Sequence, residues 1–125
     1  MLIDDGSDIR MFRLEADGEP ISTPDDASDL VGAAWSHQAT VVVVPVERLD
    51  PEFFRLGTGI AGELTQKFVN YRLRLAVIGD ISKHVAASDA LSDFVWESNR
   101  GDHIWFVADE RALTEKLALR AARSA

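Results

Sequence analysis

A glycine-rich turn followed by an aspartate is the part of this sequence best suited to chemistry. Gly57-Thr58-Gly59-Ile60-Ala61-Gly62 matches the GxGxxG pattern that cradles a pyrophosphate in dinucleotide-binding folds. Asp80 follows the next apolar run, where such folds place the acid that binds the ribose. The surrounding sequence does not fit a dinucleotide-binding fold, in which a strand runs directly into the first glycine. Here residues 51–56 separate the preceding strand from that glycine. The chain of 125 residues is also too short for two mononucleotide-binding halves.

The turn and the aspartate each support two interpretations. Backbone N–H groups at the start of the helix after Thr58 could hold an anion or a phosphorylated side chain. Alternatively, the glycines only permit a tight turn and close helix packing. Asp80 ends a predicted strand, where open α/β sheets bind ligands, or it simply caps the loop or the nearby helix. The candidate ligand- or partner-binding residues are therefore Gly57, Thr58, Gly59, Gly62, Asp80 and Ser82.

A second polar cluster, Glu97, Asn99 and Arg100, stands at the end of a predicted helix, and Gly101 suits a left-handed position after it. A helix that follows a parallel strand runs back toward the amino ends of the strands. We therefore expect this cluster at the opposite edge of the sheet from Asp80. There it would form a helix-end network or a partner surface.

Neither a metal site nor a catalytic centre is indicated by residue spacing. The chain has no cysteine, and His37, His84 and His103 show none of the spacings typical of metal ligands. Ser82 and His84 are too close in sequence to act as nucleophile and base without a third partner. We expect no metal and no cofactor, and an enzyme ranks behind a binding protein.

Composition restricts the partner and the compartment. An apolar fraction of 46% and a charged fraction of 27% are typical of one soluble globular domain. The net charge of -8, with no basic stripe, argues against nucleic acid as a partner. No apolar run is long enough to span a membrane, and the N-terminus lacks a signal-peptide pattern. Together with the absence of cysteine, this predicts a cytoplasmic protein.

Periodicity predicts the elements that position these residues. An edge strand over residues 9–15 and a hairpin turn at Asp17-Gly18 lead into a short strand at Pro20-Ile21. Thr23 then caps a helix. Apolar runs at residues 40–44, 75–78 and 104–107 are typical of central parallel strands, each followed by a helix. The order ββαβαβαβα predicts one α/β domain over residues 1–125, frayed at 1–8 and 121–125, with helices packed on a mixed, mostly parallel sheet.

Three segments resemble a known family. GIAGELTQKFVNY (residues 59–71), RLAVIGD (74–80) and DFVWESNRG (93–101) are similar to segments of a bacterial family called domain of unknown function 4180. The resemblance covers most of the chain. The family name implies no activity.

At greater distance, the order of elements resembles the STAS fold of anti-sigma-factor antagonists and of the cytoplasmic ends of sulfate transporters. In that fold a Ser or Thr at the start of the second helix is phosphorylated. Thr58 occupies this place, with Gly57-Thr58-Gly59 standing instead of the usual Asp-Ser-Ser-Gly. The resemblance implies a non-enzymatic regulatory module that presents the Thr58 turn to a protein partner, which could be a second copy of the chain. The alternative is a domain that binds a small ligand, anion or nucleotide at the carboxyl edge of the sheet.

Overall fold

The computed structural model describes residues 9–124, with side chains through Arg120. Within this range the strands are β1 Met11–Arg13, β2 Val41–Pro45, β3 Arg74–Ile78 and β4 Ile104–Val107. The α-helices are α1 Pro24–Ser36, α2 Ile60–Asn70, α3 Ser82–Ala87, α4 Asp89–Arg100 and α5 Glu110–Ser124. Three short 3-10 turns, Val46–Arg48, Pro51–Phe54 and Leu56–Thr58, connect β2 to α2.

The strands form one parallel sheet in the order β1-β2-β3-β4. Right-handed connections between successive neighbouring strands place α1, α2 and α4 on the same face. The core agrees with this arrangement: Leu30, Phe68 and Leu91 from these helices belong to one buried cluster. A second cluster on the other face joins Trp105 of β4 to Leu113 of α5. The predicted single α/β domain with helices packed on a sheet is confirmed.

The N-terminal part of the sheet differs from the expectation. The hairpin predicted at Asp17-Gly18 does not form, and Ile21 makes only an isolated parallel bridge with Leu49. The Arg48 guanidinium explains the difference, because it donates hydrogen bonds of 3.0 Å to the carbonyl oxygens of Glu15 and Glu19. These bonds fold the segment as a loop across the end of β2. The sheet of the described residues is therefore wholly parallel, not mixed.

Side-chain caps start α1 and α4, and the cap of α1 lies at Thr23, as the sequence predicts. The Thr23 hydroxyl accepts a bond from the Asp26 N–H at 3.1 Å, and the Asp26 carboxylate accepts one from the Thr23 N–H at 3.1 Å. Backbone N–H groups of Ser22 and Thr23 lower the pKa of Asp26. Ser88 caps α4 by accepting a bond from the Leu91 N–H. Such caps depend on neighbouring residues alone, which is why the sequence reveals them.

The helix ends follow the sequence less closely. Gly101 has a φ of -90°, so the left-handed position predicted there is wrong. Left-handed residues after helices are instead Gln38 and Arg72, each with a φ of 56°. Helix α5 continues to Ser124, and the fraying predicted for residues 1–8 and for Ala125 lies outside the described residues. Of the helices in the described range, none combines the length and the apolar character needed to cross a membrane.

Candidate functional site

The carboxyl ends of the parallel strands meet at one edge of the sheet, which we call the carboxyl edge. Gly79 follows β3 there with a φ of +142°, and a Cβ at this position would lie 2.5 Å from Cγ1 of Val46. Glycine is required here for two reasons. Any other residue would have a strained backbone, and its Cβ would collide with Val46 in the segment that connects β2 to α2. This close approach of the two connections lies directly before Asp80.

Thr58 closes the turn that leads into α2. Its hydroxyl lies within hydrogen-bonding distance of the carbonyl oxygens of Glu52 (2.9 Å) and Arg55 (2.8 Å). The same oxygen accepts a bond from the Ile60 N–H at 3.3 Å. Gly59 follows in the left-handed conformation with a φ of 82°. The Thr58 side chain is exposed, yet its hydroxyl is part of the turn.

The turn does not explain why positions 57 and 62 are glycines. Apart from the chain neighbours and the backbone of the same helix, no heavy atom of the described residues comes within 4 Å of a Cβ built at either position, and neither has a positive φ. The expectation that these glycines permit close helix packing is therefore wrong for both. Gly62 is the third residue of α2, and glycine is a poorer helix former than alanine, by roughly 0.5–1 kcal/mol in a helix interior. Both leave bare backbone exposed to solvent.

Asp80 caps the segment that enters α3. Its carboxylate accepts a hydrogen bond of 2.9 Å from the Ser82 N–H. Hydrogen bonds from Ser82 lower the pKa of Asp80, with the larger contribution from its hydroxyl and the smaller from its N–H. The charge of Lys83 lowers this pKa further, whereas desolvation raises it. The capping role, one of the two interpretations of this residue, is present, and the carboxylate is anionic at neutral pH.

The charge of Asp80 should make part of the stability depend on pH. Because its folded pKa lies below the unfolded value of 3.8, the carboxylate stabilises the fold above that value, and the contribution disappears as pH falls through the folded pKa. Asp80→Asn is expected to lower the urea midpoint at pH 7, with the difference from wild type shrinking below pH 3.8. Asp93→Asn removes an equal charge from the exposed face of α4 and is the control. A constant difference across the pH range would contradict the prediction.

An aromatic contact joins the two parts of the carboxyl edge. Phe54, from the turn that precedes Thr58, stacks on His84 of α3 with ring centroids 4.2 Å apart and an interplanar angle of 11°. Phe54 is buried, so the contact is part of the packing. The turn that holds Thr58 and the helix that begins at Ser82 are thus packed on each other. We call their exposed residues Gly57, Thr58, Gly62, Asp80 and Ser82 the carboxyl-edge surface.

In the second predicted cluster, Asn99 is partly buried and makes structural contacts, whereas Glu97 and Arg100 are exposed. The Asn99 side-chain oxygen accepts a bond from the Phe106 N–H at 2.7 Å, and its carbonyl accepts one from Lys116 at 2.8 Å. Asn99 therefore fastens the end of α4 to β4 and α5. Arg100 is exposed, pairs with Glu97 at 3.8 Å and lies over the Trp96 ring at 4.4 Å. The expected helix-end network is thus present at Asn99.

The amino ends of the strands carry a group of cations, of which the sequence analysis named only Arg100 as a candidate site residue. We call it the amino-edge basic cluster, and it consists of Arg72, Arg74, Arg100, Lys116 and Arg120. The residues come from the end of α2, from β3, from the end of α4 and from α5, so no basic stripe is visible along the chain. The available signal was weak: two arginines flank Leu73 immediately before a buried strand. In residues 9–124, no group of three or more His, Asp or Glu is placed to hold a metal ion.

Comparison with known proteins assigns the chain to a family. A family model described as domain of unknown function (DUF4180) matches residues 7–117. The chain belongs to the DUF4180 family. No curated protein and no solved structure matches it. The DUF4180 match spans the whole carboxyl-edge surface and most of the amino-edge basic cluster, with Arg120 lying beyond it.

Proposed function

We propose that the protein is a cytoplasmic, non-enzymatic regulatory module of STAS-like type that presents the carboxyl-edge surface to a protein partner. The observation that carries the proposal is the bare, exposed backbone at Gly57 and Gly62 on either side of Thr58. Neither glycine is required by the turn or by packing among the described residues, and one of them weakens its own helix. A partner that approaches the backbone closely would account for both.

The hydrogen bonds of Thr58 support a switch at this surface. Its hydroxyl is 2.9 Å and 2.8 Å from two carbonyl oxygens, those of Glu52 and Arg55. A phosphorylated threonine has only acceptor oxygens at neutral pH and would repel both carbonyls. Phosphorylation would therefore open the turn and change the shape of the surface as well as its charge. The position of Thr58, two residues before the first residue of α2, supports the STAS-like part of the proposal.

The alternative, a small-ligand, anion or nucleotide site at the carboxyl edge, has less support. The Ser82 N–H is bonded to the Asp80 carboxylate, and the Ile60 N–H is bonded to the Thr58 hydroxyl. The anionic Asp80 would repel a phosphate or a carboxylate. Two donors that could recognise an anion at this edge, the Ser82 N–H and the Ile60 N–H, are thus engaged within the chain.

Thr58→Glu tests the proposed partner surface. We expect it to reduce capture of the partner about tenfold, the effect of losing about 1.4 kcal/mol of binding free energy. The measurement is affinity purification of the full chain from its native cells, with captured proteins quantified by mass spectrometry. Sedimentation of the purified chain shows whether the partner is a second copy of it.

Thr114→Glu is the matched control, because Thr114 is also exposed and its hydroxyl also donates to a backbone carbonyl, that of Glu110 at 3.0 Å. Thr58→Val removes the hydrogen bonds of the hydroxyl without adding charge and should have an intermediate effect. If Thr58→Glu and Thr114→Glu retain the same partners in the same amounts, the Thr58 turn is not the partner surface.

A further inference from the structure

Two adjoining cavities lie at the amino edge of the sheet and share Asp102 and Arg120 as lining residues. One, of about 330 Å³, extends toward Arg100 and Lys116. The other, of about 300 Å³, extends toward Arg72 and Arg74. The site lies at the opposite edge of the sheet from the Thr58 turn, so it does not depend on the function proposed above.

The lining of these cavities is strongly positive. Among the residues whose side chains the structure describes, five cations and one carboxylate, that of Asp102, line them, in a chain whose formal net charge is -8. Asp102 pairs with Arg120 at 2.9 Å, and the Asp102 carbonyl accepts a bond of 2.7 Å from Arg74. Burial and then the charge of Arg120 lower the pKa of Arg74, while Asp102 raises it. The like charges are held together at a free-energy cost that a bound anion would offset.

The backbone of Arg72 provides a second, independent observation. Arg72 directly follows the C-cap of α2 with a φ of 56°, a left-handed position that favours glycine. An arginine adopts this conformation at a steric cost. Its side chain is exposed and lines one of the cavities, and within the described residues it makes no ion pair or hydrogen bond. Contacts inside the described part of the chain therefore do not account for an arginine here.

We propose that the amino edge binds a small phosphate-bearing ligand, with Arg72, Arg74 and Arg120 supplying the cationic contacts. Guanidinium groups recognise phosphate through paired hydrogen bonds. A phosphate monoester carries nearly two negative charges, and so neutralises more of the positive excess than a single carboxylate does. The acidic remainder of the chain disfavours a long polyanion such as nucleic acid.

Inorganic pyrophosphate is the probe for this site. Titrated into the full chain at low ionic strength, it is expected to bind with measurable heat. It should also raise the melting temperature above that in potassium chloride of equal ionic strength. Arg72→Gln is expected to weaken binding about tenfold through the loss of one charged contact. Arg111→Gln, which removes an exposed arginine from the start of α5, should bind as wild type does.

Arg72→Gly separates a binding role from a structural one. Glycine relieves the left-handed strain, so the melting temperature should rise by roughly 2–5 °C while pyrophosphate affinity falls. Absence of both heat and thermal shift in the wild type would overturn the proposal, as would equal affinities of Arg72→Gln and Arg111→Gln. Tighter binding of a single-stranded oligonucleotide than of pyrophosphate would overturn the assignment to a small ligand.

Discussion

Gly79→Ala is expected to lower the free energy of unfolding by about 2–5 kcal/mol, a large part of the stability of a domain this size. The added Cβ would lie 2.5 Å from Cγ1 and 3.0 Å from Cβ of Val46. Both atoms lie near the backbone of Val46. Because valine is short and β-branched, its side chain cannot rotate away from the added methyl group. The φ of +142° adds strain whatever the space. Urea unfolding followed by circular dichroism measures the loss.

Two further variants identify the cause of that loss. Gly62→Ala adds the same methyl group where the described residues leave open space, and in a helix, so it should stabilise by roughly 0.5–1 kcal/mol. Val46→Ala in the Gly79→Ala background removes Cγ1 and should recover part of the stability, leaving the backbone strain. Equal effects of alanine at positions 79 and 62 would show that the carboxyl edge is not packed as described.

The features that the sequence predicts well are those set by neighbouring residues or by chain direction. Val41 to Val44 are apolar at every position because both faces of β2 are covered, and all four are buried. The Thr23 cap needs only Asp26. None of these inferences requires knowledge of distant contacts.

The features that the sequence does not reveal depend on residues far apart in the chain. Asp17-Gly18 carries a hairpin signal, but Arg48 holds that segment as a loop from about thirty residues away. The amino-edge basic cluster is assembled from several elements whose individual charges look scattered. The glycine pattern around Thr58 suggests packing at every position, although only Gly59 has a backbone that requires glycine. In each case, the structure is determined by distances between residues that the sequence order alone does not give.

These observations give the two edges of the sheet different chemistry. At the carboxyl edge, the Thr58 hydroxyl and the Asp80 carboxylate form hydrogen bonds within the chain, and the backbone at Gly57 and Gly62 is exposed. At the amino edge, like charges are concentrated around Asp102. A protein surface and a small anion could therefore be bound at the same time, one at each edge, because the sheet separates them.

Trp105→Ala is expected to lower the free energy of unfolding by about 3–5 kcal/mol. The side chain is 2% exposed, and its indole N–H donates a 2.8 Å bond to the Gly101 carbonyl. Arg74 lies over the ring at 4.4 Å and Lys116 at 4.8 Å. Removing the indole would leave a cavity on the α5 face of the sheet and would release two cations of the amino-edge basic cluster. Urea unfolding measures the loss of stability caused by the cavity. Pyrophosphate titration of the folded variant measures the effect of releasing the two cations.

Trp96→Ala is the matched control, because Trp96 also lies under a guanidinium at 4.4 Å, that of Arg100, but is 60% exposed. Its loss should cost less than about 1 kcal/mol, since an exposed cation–π contact contributes roughly 0.5–1 kcal/mol. Trp105→Phe should lie between the two alanine variants, since phenylalanine refills most of the cavity but cannot donate to Gly101. Similar losses at positions 96 and 105 would mean that the cation contacts, and not burial, determine the effect.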